Sequence, residues 1–263
     1  MADGERIAKL MARAGAGSRR EVERMIGEGR VALNGKVLAS PALNLKSLAG
    51  VTLDGNALEK KARTGLWLFH KPPGCLTTSH DPKGRKTVFD LLPADLPRLM
   101  PIGRLDYNTE GLLILTNDGG LKREMELPRN AVQRRYRVRV FGDVAQERLE
   151  ALADGVTIEG VRYRSIEANM DRRSGRYAWL SVALTEGKNR EIRRVMEHLD
   201  LQTARLIRIG FGPFELDDLP AGKIAMLNQQ AVDAAWASAR AGNRDDADPD
   251  SSSGGRAAAP WTP

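Results

Sequence analysis

One carboxylate stands out among the residues that could do chemistry. Asp106 sits in Gly103-Arg104-Leu105-Asp106, six residues ahead of the apolar run Leu112-Leu113-Ile114-Leu115. The run is short and bounded by Gly111 and Asn117-Asp118-Gly119, so it predicts a buried strand rather than a helix. Asp106 then lies in the connection at the strand's entrance, open to solvent and beside Arg104, which favours its ionised form. A carboxylate so placed can serve as a nucleophile or as a base. Tyr136 is a second candidate. Alternation along 134 to 140 puts Tyr136, Val138 and Val140 on one face of a strand and Arg135, Arg137 and Arg139 on the other, so the phenol points inwards. Near Gly187-Lys188-Asn189-Arg190, helical spacing groups Ile192, Val195, Met196 and Leu199 on a packing stripe. It leaves Arg190, Arg193, Arg194 and Glu197 on a free one. Lys71 precedes Pro72-Pro73-Gly74, which holds it extended and lets it reach a cleft. Each spacing taken alone also fits a plainer role: a surface ion pair, a core tyrosine, a solvated basic face, a turn residue.

The elements that must position these groups fall into two regions. In the first sixty residues, Ile7, Leu10, Met11 and Ala14 form the apolar face of a helix ending at Gly15 and Gly17. Ser18 and Glu21 fit a capping box opening a second helix, with Val22, Met25 and Ile26 on its apolar side. Asn34-Gly35 between 31–33 and 36–38 marks a tight hairpin. The order is helix, helix, hairpin, with Lys9, Arg13, Arg19, Arg20 and Arg24 away from the apolar faces as candidate phosphate contacts. Residues 61–65 read as a linker, and Leu66-Trp67-Leu68-Phe69-His70-Lys71 as the first strand of a larger domain, 66–240. This domain has no regular strand–helix repeat, which predicts an α+β fold with a mainly antiparallel sheet. From 241 to 263 the composition narrows to Ala, Gly, Ser, Asp and Arg, a tail expected to be disordered.

Bulk chemistry narrows the partners. With 41 Lys and Arg against 34 Asp and Glu, the net charge of +7 favours a polyanion. The single cysteine, Cys75, excludes an internal disulfide and a cysteine-based zinc site. The amino terminus is charged where a signal peptide would be apolar, and no run approaches membrane-spanning length. A cytoplasmic protein that does not engage membranes is expected.

The string from 103 to 119, GRLDYNTEGLLILTNDG, resembles the signature of the pseudouridine synthases, in the RsuA/RluB family that modifies ribosomal RNA. The helix–helix–hairpin, with Ser18-Arg19-Arg20 and GEGRVALNGKVL at 27 to 38, resembles the αL RNA-binding motif first known from a small-subunit ribosomal protein. Together the resemblances cover about residues 5 to 235. They imply isomerisation of a uridine in RNA to pseudouridine, without cofactor or metal. They also imply the roles: Asp106 catalytic, Arg193 its ion-pair partner, Tyr136 stacked on the base, Arg104 filling the space left by a flipped base, and Lys71, Lys188 and Arg190 contacting RNA. Arg134-Arg135-Tyr136 stands where the family has Lys-x-Tyr, and Glu191 where many relatives have Gln. The loop DPKGRKTVFDLLP at 81 to 93 is similar to the RluB kind, which implies large-subunit ribosomal RNA as partner, and the basic surfaces of both domains predict a monomer gripping one RNA. Small-subunit RNA as substrate, and a non-catalytic RNA-binding assembly factor, stay open on sequence.

Overall fold

A computed structural model describes residues 4–58, 63–79 and 81–241. The expected tail, apart from its first residue, and the first part of the expected linker lie outside these residues. The chain opens with β1 (Glu5–Arg6), α1 (Ile7–Arg13) and α2 (Arg19–Gly27). There follow β2 (Val31–Leu33), β3 (Lys36–Val37), β4 (Asn44–Leu45), β5 (Val51–Leu53) and β6 (Asn56–Ala57). The capping box forms as the sequence implies: the Ser18 hydroxyl accepts from the Glu21 N–H, and the Glu21 carboxylate accepts from the Ser18 N–H, worth about 1 kcal/mol at the cap. The helices close over a four-stranded sheet ordered β3-β2-β5-β6, around a core of Ile7, Met11, Val22, Ile26, Val31 and Val51. The Asn34-Gly35 turn has both residues at positive φ, as its tight hairpin demands.

The remainder builds one mixed sheet with helices. Its strands begin with β7 (Leu66–Lys71), β8 (Met100–Ile102) and β9 (Glu110–Thr116), after which come α3 (Gly119–Glu126) and β10 (Arg134–Phe141). Next are α4 (Gln146–Glu150), the small hairpin β11 (Val156–Ile158) and β12 (Val161–Tyr163), and the long hairpin β13 (Ile166–Ser174) and β14 (Tyr177–Leu184). The chain closes with α5 (Glu191–His198), β15 (Gln202–Phe211), β16 (Phe214–Glu215), β17 (Ile224–Met226) and α6 (Gln229–Ala241). The sheet order is β13-β14-β10-β15-β9-β7-β17, with β16 beside β15 and β8 beside β9. Its strand pairs are antiparallel except β9 with β15, so the fold is α+β and mainly antiparallel, as expected.

The two faces of this sheet are covered unequally. Tyr136, Val138, Val140, Leu180, Val182, Leu113 and Leu115 face a large core that includes α5 and the segment after β7. On the other face α3 and α6 pack over Leu66, Leu112, Ile114 and Phe211, at the β7 and β9 side. Gly111 is required where β9 meets β15: its φ is +102° and a Cβ there would come within 2.2 Å of the Arg208 carbonyl oxygen. The two regions of the chain touch at Asp118, whose carboxylate accepts from Arg13 Nη2 at 3.2 Å and from the Thr64 hydroxyl at 2.8 Å. None of the helices among the described residues is long and apolar enough to cross a membrane.

Candidate active site

The Asp106 connection joins β8 to β9, and buried groups clamp it from below. Lys71 ends β7 and is fully buried. Its ammonium donates to the carbonyls of Pro72 (3.1 Å), Tyr107 (3.2 Å) and Thr109 (2.8 Å). Burial pushes its pKa down, opposed by the nearby Cys75, Asp106 and Glu110. The Thr77 hydroxyl donates to the Leu105 carbonyl at 2.9 Å, and the Gly74 N–H to the Tyr107 carbonyl at 2.9 Å. Glu126, paired with Lys122, accepts from the Gly103 N–H at 2.7 Å. The segment is therefore fixed at 103, 105, 107 and 109 while the Asp106 side chain stays about one-third exposed.

Opposite this segment lie Tyr136 on β10 and the residues leading into α5. They enclose a recess of about 130 Å³, lined by Arg104, Asp106, Arg134, Tyr136, Lys188, Arg190, Glu191 and Arg208 among others. That is smaller than the roughly 300–1,000 Å³ of pockets for drug-sized ligands, a size suited to one flat base. Five cations and two carboxylates are among the lining side chains, so the recess favours an anionic chain at its mouth. A larger groove of about 940 Å³ lies in the first region, lined by residues such as Leu10, Leu45, Leu48 and Val51. It brings together only Glu5, Arg13 and Lys46 as charged groups.

The sequence expectations fare differently here. Asp106 and Tyr136 line the same recess, as do Arg104, Lys188 and Arg190. The expected ion pair of Asp106 with Arg193 is not formed. Arg190 approaches the Asp106 carboxylate instead, at 3.9 Å, while Arg193 Nη2 donates to the Asn108 carbonyl at 3.3 Å. The reason is local: Arg190 takes the left-handed conformation (φ 52°) as the residue preceding α5, which turns its side chain towards the loop. Burial and the like charge of Arg190 lower the Arg193 pKa, and Asp106 opposes them. Lys71 is no RNA contact, because its ammonium is spent on backbone carbonyls. In the first region, Lys9 pairs with Glu5, and Arg13 with Glu5 (3.0 Å) and Asp118, so Arg13 braces the two regions rather than presenting its charge outward. Arg24 lies 3.7 Å from Glu28 yet stays exposed, and Arg19 and Arg20 are exposed. Cys75 is buried, its thiol directed to the Pro72 carbonyl at 3.4 Å.

Two arginines of the recess were not singled out from the sequence as site residues. Arg134 donates to the Val132 carbonyl (2.9 Å) and the Thr185 carbonyl (2.7 Å), tying the start of β10 to the segment that carries Lys188. Arg208 is 1% exposed and is the register partner of Tyr136 across β10 and β15, directly after a bulge between Arg135 and Tyr136. Its Nε donates to the Leu112 carbonyl at 2.7 Å. Burial lowers its pKa, and the Tyr136 hydroxyl is the main opposing influence. As a pure donor, it can offer an N–H towards the phenol oxygen. Alternation in LIRIGF sets Arg208 opposite Ile207, Ile209 and Phe211, so the sequence carried no signal for its burial.

Glu191 is buried, with one carboxylate oxygen accepting from the Lys188 N–H at 2.7 Å and the other without a partner among the described residues. Burial pushes its pKa up. A carboxyl whose folded pKa is raised gives stability that is complete below its unfolded value of 4.5 and lost as pH rises through the folded value. Gln would keep the acceptor and never ionise. Glu191→Gln is expected to retain activity within about threefold. Its stability relative to the unaltered chain should increase as pH rises above the carboxylate range, read from urea midpoints at acidic and neutral pH. A gap independent of pH would refute this.

The comparisons agree with the geometry. Residues 65–198 match the RNA pseudouridylate synthase family model, and residues 5–48 match the S4 domain. An RNA pseudouridine synthase of Rickettsia felis is 39% identical, with 87% of this chain and 99% of that protein covered. The ribosomal large subunit pseudouridine synthase B of Haemophilus influenzae is 41% identical over 84% of this chain and 64% of its own length. A crystal structure of a pseudouridylate synthase shares the fold with a TM-score of 0.62 at 22% identity, covering 88% of this chain and 99% of that one. With a catalytic-region match across half its length and relatives near 40% identity along most of it, this chain belongs to the RNA pseudouridine synthases.

Proposed function

We propose that the protein converts one uridine of large-subunit ribosomal RNA to pseudouridine, as a cytoplasmic monomer in which residues 1–60 hold RNA and 66–240 carry the chemistry. The observation that supports this most is the rigidly held, solvent-accessible Asp106 facing Tyr136 across a cation-lined recess. Names of relatives such as the large subunit synthase B of Yersinia pestis, 40% identical, support the choice of RNA. The target uracil leaves its stack at a cost of about a few kcal/mol, and Arg104, exposed at the mouth, fills the vacated space. Asp106 acts at the sugar as nucleophile or base while the N1–C1′ bond breaks. The uracil turns between Tyr136 and the loop, C5 bonds to C1′, the C5 proton departs and N1 gains one. The reaction is redox-neutral and uses no external donor.

Pseudouridine mapping of both ribosomal RNAs from cells lacking the protein tests this. One large-subunit site should disappear and return with the intact chain. An unchanged map would favour a non-catalytic RNA-binding role, and a lost small-subunit site would move the target.

A further inference from the structure

The sheet half formed by β10, β14 and β13 has one face that α3 and α6 do not reach, on the side away from Tyr136 and the recess. Alternation places Arg135, Arg137, Arg139 and Phe141 of β10 there, beside Tyr177 and Trp179 of β14. The side chains form a continuous stack. Arg137 lies over the Trp179 ring at 5.0 Å, Arg139 over Tyr177 at 4.4 Å, and Arg176 over Phe141 at 4.5 Å. Phe141 and Tyr177 touch with centroids 5.1 Å apart. Significant cation–π contacts occur about once per 70–80 residues in folded proteins, so three at β10, β14 and the turn leading into β14 are a concentration.

Charge pairing separates this stack from its neighbours. At its borders Arg135 is bonded to Glu215 (2.5 Å) and Arg205 to Glu110 (2.8 Å). Arg137, Arg139 and Arg176 have aromatic rings as their partners and no carboxylate within ion-pair distance among the described residues. A guanidinium stacked on a ring is held flat, with its N–H donors spread in the plane and its other face uncovered. The donors fit phosphate oxygens, and the free face fits a nucleobase. Tyr177 is itself 40% exposed.

We propose that this arginine–aromatic face is a second RNA-binding surface. It takes an unpaired segment of the substrate RNA by stacking bases on the guanidinium–ring pairs and neutralising their phosphates. The inference rests on RNA being the substrate, and it adds a contact on the opposite side of the sheet from the recess. An RNA as large as a ribosomal subunit's can engage both. A helical partner protein would instead need an apolar groove, which this flat cationic face lacks.

Filter binding of a labelled large-subunit ribosomal RNA transcript, and of a short single-stranded oligouridylate, across a KCl series tests the surface. The full chain is compared with the triple variant Arg137→Gln, Arg139→Gln, Arg176→Gln. Three lost phosphate contacts should reduce the slope of log affinity against log salt by about 2 and weaken binding of both probes about tenfold or more. A triple Arg→Lys variant keeps the charge and loses the flat stacking plane, so its salt slope should hold while oligouridylate affinity falls. Unchanged affinity and slope in a folded Gln variant would overturn the proposal, as would a lower melting temperature with RNA binding intact. Pseudouridine formation by the unaltered chain on the same transcript is followed in parallel. Its absence would count against the substrate assignment without altering what the binding curves say about this face.

Discussion

Asp106→Asn is expected to abolish pseudouridine formation, by at least about 10³-fold in kcat, while leaving the protein folded and bound to RNA. Nucleophilic and acid–base roles both need the carboxylate, and the amide supplies neither. Little else depends on it. Its contact with Arg190 is long, 3.9 Å, between side chains 32% and 50% exposed, and such pairs are worth about 0–1 kcal/mol. The loop around it is held by Lys71, Thr77 and Glu126 through bonds that do not involve its side chain. Removing one negative charge from a cationic recess should leave RNA affinity equal or slightly tighter. Single-turnover assays and filter binding on the same preparation read both quantities. Substantial turnover in the variant would remove Asp106 from the mechanism, and loss of RNA affinity would make it a binding group.

Lys71→Met is expected to damage both stability and rate. The methionine fills similar space but leaves the Pro72, Tyr107 and Thr109 carbonyls without the ammonium that now serves all three. The Tyr107 carbonyl keeps the Gly74 N–H and the Pro72 carbonyl the Cys75 thiol, so the Thr109 carbonyl is the acceptor left bare, at about 1–3 kcal/mol, and relief from burying a charge offsets part of that. A net loss of about 1–2 kcal/mol corresponds to a fall of about 2–8 °C in Tm for a chain of this size. The catalytic consequence follows from geometry: two of those carbonyls belong to residues one and three positions after Asp106 in the same connection, and a shift of about 1 Å in a reacting group can cost about 100-fold. Thermal melts together with kcat at saturating RNA measure it. If Tm falls while kcat holds, the lysine supports the fold and not the loop. If neither changes, the bonding pattern described for it carries no weight.

Lys71 also shows where sequence reading stops. The Lys-Pro pair suggested an extended lysine free to enter a cleft, and extended it is. Whether an ammonium meets phosphate or carbonyl oxygen depends on which segment lies over it, and that segment is 36 to 38 residues away. Local periodicity was enough for α2 with its capping box, for β7, β9 and β10, and for the packing side of α5, because each is set by neighbours within a turn or two. The Asp106–Arg193 pair, inferred by resemblance, gave way to Arg190 because a single left-handed residue ahead of a helix redirects a side chain. Arg208 went unmarked because an arginine inside a strand normally signals a solvent-facing position. Only pairing between β10 and β15 puts it beneath Tyr136. The diversion of Arg13 likewise needs Asp118, a partner 105 residues on.

Asp118 has a further consequence. It follows the end of β9, caps α3 through the Gly120 N–H at 2.8 Å, and receives Arg13 from the first region. Asp106 stands just before the other end of the same strand. β9 has seven residues, roughly 23 Å at about 3.3 Å per residue, with the proposed catalytic carboxylate four residues before one end and the Arg13 contact of the first region two residues beyond the other. Buried on both faces and paired on both edges, it does not stretch. On the proposed function this makes β9 a fixed ruler: RNA held by the first region would present its target nucleotide to Asp106 only at the matching distance.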